Sequence, residues 1–87
     1  MLTIEYEELH KFLGNLIAEH RRIKKNWNRE KLGEYTNLDP NNIGRVERGE
    51  QMPSLITFLK LMHILEIQID EYLLEIIELI DEEENRE

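Results

Sequence analysis

The sequence lacks the residue types on which small enzymes and extracellular domains most often depend. It contains no cysteine, which excludes disulfides and thiolate zinc sites and fits a reducing compartment. Its three histidines, His10, His20 and His63, are scattered along the chain. No Ser-His-Asp set and no glycine-rich phosphate loop can be assembled from the remaining residues. We therefore expect no enzyme activity, no cofactor and no metal site.

Long apolar segments are also missing. No apolar run reaches the roughly 20 residues that a membrane-spanning helix needs. The first eight residues have neither the basic start nor the apolar core of a signal peptide. The 87 residues, of which 40% are hydrophobic, suffice for the core of one small domain. We expect a soluble cytoplasmic protein.

Positive charge is scarce overall but concentrated in one place. The net charge is −8. Residues 66–87 carry ten acidic side chains and one basic side chain, whereas residues 1–65 carry nine acidic and ten basic side chains. Six basic residues lie close together in sequence: Arg21, Arg22, Lys24, Lys25, Arg29 and Lys31. One reading is a positive end that attracts a polyanion, and the other is a solvated helix end. Charge alone does not decide between them.

Apolar residues at steps of three and four predict a first helix that reaches about Lys24, with Thr3 as a possible N-cap. The stripe consists of Leu9, Leu13, Leu16, Ile17, His20 and Ile23. Gly14 inside it costs roughly 1 kcal/mol relative to alanine, and its small size would permit another element to pack closely. Trp27 follows in a link, either as a core residue or as a platform for stacking on bases.

Residues 28–49 predict two short helices around a tight corner. Asn28 is a suitable N-cap for a second helix over residues 29–36, and Asn37 suits the left-handed conformation of a corner. Asp39 as N-cap and Pro40 at the first helical position begin a third helix. A unit of this size cannot bury its own apolar face, so the flanking chain must supply the rest of the core.

Two more helices follow. Ser54 can cap a fourth, whose apolar face would contain Leu55, Phe58, Leu59, Met62 and Leu65. Asp70 would cap a fifth that reaches about Glu82. The apolar positions of this fifth helix cover more of its circumference than one core contact requires, which suggests a second buried face. They are Leu73, Leu74, Ile76, Ile77, Leu79 and Ile80.

Taken together, these features resemble the lambda-repressor-like helix-turn-helix family, also called the Cro/XRE type. The matching pieces are Leu13-Gly14, Ile17 and Arg21 in the first helix, Asn28 to Gly33 in the second, Ile43 to Gly49 in the third, and Pro53-Ser54, Leu61, Leu65, Ile67, Ile69 and Asp70 beyond it. The likeness covers roughly residues 13–73. Its most specific part is Val-Glu-Arg-Gly at 46–49 followed by Pro-Ser at 53–54.

The resemblance implies an all-α, compact five-helix domain that places its third helix in the DNA major groove. The base-reading positions of the family fall on Pro40, Asn41, Asn42 and Arg45. By donor and acceptor geometry, an asparagine could pair with an adenine edge and Arg45 with a guanine. Pro40 offers no hydrogen bond and can contribute only shape or contact with a thymine methyl group.

The resemblance also implies phosphate contacts and a structural ion pair. Asn28 and Arg29, at the start of the second helix, would hold a phosphate. Further basic residues nearby would assist them: Arg48, Lys24, Lys25 and Lys31. Glu47 falls on the structural acid of the family and is expected to pair with Arg21, for stability rather than recognition.

Three departures from the family pattern stand out. Gly33 occupies a position where the family prefers alanine, and Met62 occupies another small-residue position. One extra residue precedes Trp27. We expect none of them to break the fold.

The leading hypothesis is a sequence-specific transcriptional regulator, prokaryotic or from a phage or mobile element, that reads a pseudo-palindromic operator as a homodimer. Residues 1–81 would form one domain and residues 82–87 a frayed acidic tail. The dimer would be built from Leu73, Ile76, Ile77 and Ile80. The rival hypothesis is a protein-interaction or antitoxin-like module of the same fold, whose acidic fifth helix binds another protein.

Overall fold

The computed structural model describes residues 5–86, which fold into five α-helices without a strand among them. The predicted cap Thr3 lies outside the described residues. The helices are α1 (Glu7–Glu19), α2 (Arg29–Thr36), α3 (Pro40–Glu47), α4 (Leu55–Leu65) and α5 (Leu73–Glu84). A π-turn (His20–Lys24) follows α1, and a 3-10 turn (Ile69–Tyr72) precedes α5. The predicted all-α, five-helix fold is confirmed.

The core joins the two short helices to their larger neighbours. The most deeply buried apolar side chains are Ile17 of α1, Leu32 of α2, Ile43 of α3, and Leu61 and Leu65 of α4. Burying side chains of this size stabilises the fold by roughly 1.5–3 kcal/mol each. The flanking helices α1 and α4 therefore supply the apolar contact that α2 and α3 could not make alone.

Gly14 is the point at which α1 crosses α3. A Cβ atom built on Gly14 would lie 2.3 Å from the carbonyl oxygen of Val46 and 2.6 Å from that of Glu47. No side chain fits between the two backbones at these distances. The prediction that this glycine permits close packing is confirmed.

The π-turn alters the chain between α1 and Trp27. Its bond from the Lys25 amide to the His20 carbonyl, 3.0 Å long, spans one residue more than an α-helical bond does. The wider turn changes the direction of the side chains that follow. Ile23 is 75% exposed, so the prediction that it continues the apolar stripe is wrong, and Arg21 is buried instead.

Local caps define the helix-corner-helix unit as predicted. The side chains of Asn28 and Asp39 each accept a backbone hydrogen bond from the first turn of their helix, at 2.8 and 2.7 Å. Asn37 occupies the left-handed region with φ 60°, and Gly49 does so with φ 76° after α3 has ended. The direction of α3 is therefore set by hydrogen bonds within a few residues of each end.

The fourth helix is capped by Ser54 as predicted, but its core face is narrower than the sequence suggested. The Ser54 hydroxyl accepts a hydrogen bond from the Thr57 amide at 3.2 Å. Leu55 and Leu59 are exposed, against the prediction, because the inward face is centred on Leu61 and its helical neighbours.

The fifth helix also begins later than predicted. Asp70 does not cap it: this residue lies inside the 3-10 turn, and α5 starts at Leu73 without a side-chain cap.

The acidic end of the chain packs against the start of α1 rather than fraying from residue 82. Glu83 is buried and accepts a hydrogen bond from the Glu8 amide at 2.8 Å. The Tyr6 hydroxyl donates to Glu84 at 2.8 Å, and this bond to a carboxylate raises the pKa of Tyr6. Carboxylates are favoured at a helix N-terminus because its first amides have no partners within the helix. This interaction explains why α5 remains helical through Glu84.

Over residues 5–86, the structure contains no helix with the length and apolar character needed to cross a membrane.

Candidate nucleic-acid interface

An open, positively charged cleft of about 770 Å³ lies where the end of α1, the start of α2 and the outer face of α3 meet. Five arginines line it: Arg21, Arg22, Arg29, Arg45 and Arg48. Only two carboxylates, those of Glu30 and Glu47, lie among them. The cleft is thus cationic although the whole chain carries a net charge of −8. A groove of this sign attracts a polyanion through its field.

Six of the residues predicted to contact DNA line this cleft: Asn28, Arg29, Pro40, Asn41, Arg45 and Arg48. The predicted base reader Asn42 lies beside them on α3. Three other predicted residues, Lys24, Lys25 and Lys31, are not part of its lining. The structure adds Arg22 and Gly44 to the cleft lining. The sequence analysis had named Arg22 only as a member of the basic cluster.

The floor of the cleft holds a buried carboxylate with two cationic partners. The side chain of Glu47 is 3% exposed. Its oxygens accept hydrogen bonds from Arg21 at 2.6 and 3.0 Å and from the Nε of Arg29 at 3.0 Å. Arg21 also donates to the carbonyl of Trp27 at 2.9 Å. A buried charge needs such partners, and these bonds tie the π-turn, α2 and α3 to one another.

The bond between Arg29 and Glu47 was not predicted. The sequence assigned Glu47 to Arg21 alone, whereas the structure shows that the same carboxylate also orients an arginine at the edge of the cleft. Arg29 is the first residue of α2 and Glu47 the last of α3, so only their tertiary arrangement brings the two together.

Two guanidinium groups converge over Gly44. A Cβ atom built on this glycine would lie 3.1 Å from an Nη atom of Arg48 and 3.4 Å from one of Arg29. Arg48 also donates to Glu50, with its Nε 2.6 Å from the carboxylate, and this bond holds the pKa of Glu50 below its ordinary value. The one sequence feature that pointed to this convergence was Gly44 itself, a glycine in the interior of a short helix between outward-facing residues.

Comparison with known proteins agrees with this geometry. A family model described as helix-turn-helix matches residues 17–72, more than half of the chain, including all of α2 and α3. The protein belongs to the helix-turn-helix family. The predicted likeness to the lambda-repressor-like, Cro/XRE-type members is thereby confirmed. No curated protein and no solved structure matches the chain significantly.

Membership defines the general role of the chain. Helix-turn-helix proteins of this family are DNA-binding regulators and not typically enzymes, and this chain is a DNA-binding regulator in that general sense. Its second and third helices form the motif, with the corner at residues 37–39.

The third helix of the helix-turn-helix presents a short polar face. Asn41 and Arg45 are exposed, whereas Asn42 and Pro40 are half-buried. The guanidinium of Arg45 donates to the side-chain oxygen of Asn42, one helical turn earlier. Arg45 is therefore held against its own helix, with its remaining donors available to a partner.

A second basic edge of the helix-turn-helix lies away from the cleft, on an aromatic pair. The rings of Trp27 and Tyr35 stack with their centroids 4.8 Å apart. Lys25 lies over the Trp27 ring at 5.5 Å and pairs with Glu66, whose pKa it lowers through their hydrogen bond. Lys31 lies over the Tyr35 ring at the same distance. Aromatic faces attract these ammonium groups, so the basic cluster of the sequence divides into two surfaces.

Trp27 packs against the hydrophobic core and is not part of the cleft lining. This position agrees with the reading of Trp27 as a core residue.

Proposed function

We propose that the protein is a sequence-specific transcriptional regulator that inserts α3 into the major groove of operator DNA. The arginine-lined cleft beside the polar face of α3 is the observation that supports this function most directly. A DNA duplex presents closely spaced phosphates, and arginine is the side chain best suited to bind them while the helix reads the bases. Such binding would occlude or reshape a promoter.

Base reading would fall to four side chains on α3. Arg45 suits a guanine, because its fork of donors matches the two acceptors of that base in the major groove. Asn41 and Asn42 suit an adenine, and Pro40 would contact a thymine methyl group or contribute shape. The exposed positions of Asn41 and Arg45 support this assignment.

Phosphate binding would rest on the cleft rather than on the outer lysines. Arg29 and Arg48 point their guanidinium groups into the cleft, and Asn28 caps the helix that begins there. Lys24, Lys25 and Lys31 would contribute through their field, because they are not among the cleft residues.

Binding to an operator obtained by selection from random DNA tests this function. We expect affinity to fall steeply with salt, because phosphate contacts release counterions. Arg45→Ala should lose about 1–3 kcal/mol of discrimination at one base pair, whereas Arg29→Ala should weaken all DNA sequences alike. Arg29→Ala thus serves as the matched control for Arg45→Ala. A selection that yields no preferred sequence, or affinity independent of salt, would contradict the proposal.

The same proposal includes a homodimer through α5, so that two copies read the two halves of a pseudo-palindrome. The four residues assigned to this contact combine exposed and half-buried apolar surface: Leu73, Ile76, Ile77 and Ile80. An apolar surface left on one side of a helix favours pairing with a second copy.

Sedimentation at tens of micromolar tests the dimer with a matched pair of variants on one helix. Ile77, which is 51% exposed, belongs to the proposed contact, whereas Leu74, 79% exposed, does not. We expect Ile77→Lys to give monomers and to bind a full operator more weakly, because burying a charge in the interface is unfavourable. Leu74→Lys should remain dimeric. A wild-type monomer at this concentration, or equal dissociation of both variants, would contradict the contact.

A second candidate function is the recognition of another protein. The exposed apolar residues Ile56 and Leu59 of α4 favour it, because neither belongs to the proposed α5 contact. Recovery of one stoichiometric protein in a pull-down, together with absent DNA binding, would support this function over the first.

A further inference from the structure

The convergence of Arg29 and Arg48 over Gly44 places two positive groups side by side at the edge of the cleft. Both Nη atoms lie within 3.4 Å of the position that a Gly44 Cβ would occupy. Two like charges brought together in this way repel each other, and an anion bound between them would relieve that repulsion. The arrangement is therefore suited to one anion with two ligands.

Each guanidinium is anchored on the side away from that point. Glu47 accepts a hydrogen bond from the Nε of Arg29 at 3.0 Å. Glu50 accepts hydrogen bonds from the Nε and one Nη of Arg48 at 2.6 and 3.4 Å. An arginine has five N–H donors in a rigid plane, so these bonds orient the group and leave its other donors for a ligand. The pair is thus preorganised.

Gly44 itself is explained by this arrangement. Glycine disfavours the interior of a helix relative to alanine, yet this one lies in the middle of the eight-residue α3. Its nearest neighbours beyond its own helix backbone are the ends of the two arginine side chains. A methyl group at this position would touch both guanidinium groups, that of Arg48 more tightly than that of Arg29.

We infer that Arg29 and Arg48 bind one DNA phosphate jointly above Gly44, with Glu47 and Glu50 as positioning residues. This inference rests on the proposed function, because the phosphate belongs to the bound DNA. It goes beyond two separate phosphate contacts, since one phosphate is shared by two helices, α2 and the end of α3.

The salt dependence of DNA binding counts the phosphates. Each neutralised phosphate contributes about 0.9 to the slope of log K against log salt. If the two arginines share one phosphate, the Arg29→Met/Arg48→Met protein should lose about 0.9 from the slope of the wild type. If they hold two phosphates, the loss should be about 1.8, and the inference is overturned.

Gly44→Ala tests the shared site without removing a charge. The added Cβ would press on the Nη of Arg48, 3.1 Å away, and would touch that of Arg29 at 3.4 Å, so we expect operator and non-specific DNA to bind roughly threefold more weakly. The melting temperature should equal or exceed that of the wild type, since alanine favours helix and the displaced atoms end flexible side chains. In the Arg29→Met/Arg48→Met background the same change should cause no further loss.

Gly33→Ala is the matched control. Its Cβ would lie 2.6 Å from the carbonyl oxygen of Leu38, in the corner backbone. We expect a lower melting temperature with unchanged affinity of the folded protein, the reverse of the Gly44 result. Wild-type affinity in Gly44→Ala, or an undiminished loss in the double-arginine background, would overturn the inference. A wild-type protein that does not bind DNA would instead refute the proposed function.

Discussion

Replacing Gly14 by alanine should lower the free energy of unfolding by about 3 kcal/mol, the upper end of the usual range for overpacking. The new Cβ would lie 2.3 and 2.6 Å from the carbonyl oxygens of Val46 and Glu47. Because these are backbone atoms at the end of α3, no rotamer change can relieve the clash. The helices α1 and α3 would have to separate, which would weaken the packing of Ile17 against the core. Urea denaturation monitored by circular dichroism measures the loss.

Asn15→Ala provides the control for this change. Asn15 is exposed and follows Gly14 on the same helix, so it tests the effect of alanine on α1 without the clash. We expect it to be neutral or slightly stabilising, because alanine has the higher helix propensity. If Gly14→Ala unfolds at the same urea concentration as the wild type, the close crossing of α1 and α3 is refuted.

The parts of the fold that could be predicted from the sequence are those that short-range chemistry determines. Asn28, Asn37, Asp39 and Pro40 act through hydrogen bonds or backbone preferences within three or four residues of themselves. Their side chains need no distant partner, so the start of each motif helix and the corner between them followed from residue type. The exposed face of α3 could then be predicted as well, because the start of the helix fixes which of its residues lie on the same side.

Two features were missed for different reasons. Glu83 meets the amide of Glu8, at the opposite end of the chain, and no periodicity predicts that meeting. The π-turn exposes Ile23, although its spacing from His20 is correct for an α-helical stripe. The first is a tertiary contact, whereas the second is a local change of backbone hydrogen bonding that the apolar spacing does not reveal.

The same division applies to the candidate site. The lysines looked equivalent to the arginines as a run of positive charge, but Lys25 and Lys31 lie on the aromatic pair formed by Trp27 and Tyr35. Sequence reasoning could not separate them, because the stacking of those two rings is a contact between a loop and a helix face. The bond between Arg29 and Glu47 was also not predicted, because it is a contact between two different helices.

Glu47→Leu is expected to destabilise the protein by about 3–5 kcal/mol, because it leaves the buried guanidinium of Arg21 without its carboxylate. The side chain of Arg21 is only 8% exposed, so water replaces the lost carboxylate poorly. The cost is that of an uncompensated buried charge rather than of the ion pair itself. Thermal and urea unfolding should both report it.

The double variant Arg21→Met/Glu47→Leu separates the role of Glu47 in stability from its role in orienting Arg29. Removing both buried charges leaves apolar side chains of similar size, which is often neutral or stabilising, so most of the lost stability should return. Affinity for DNA should remain low, because Arg29 still lacks the carboxylate that orients its Nε. Arg29→Lys should likewise bind weakly although it keeps the charge, since an ammonium group cannot bond Glu47 and a phosphate in the same geometry. If the double variant regained wild-type affinity together with stability, Glu47 would contribute to the fold alone, and Arg29 would bind phosphate without it.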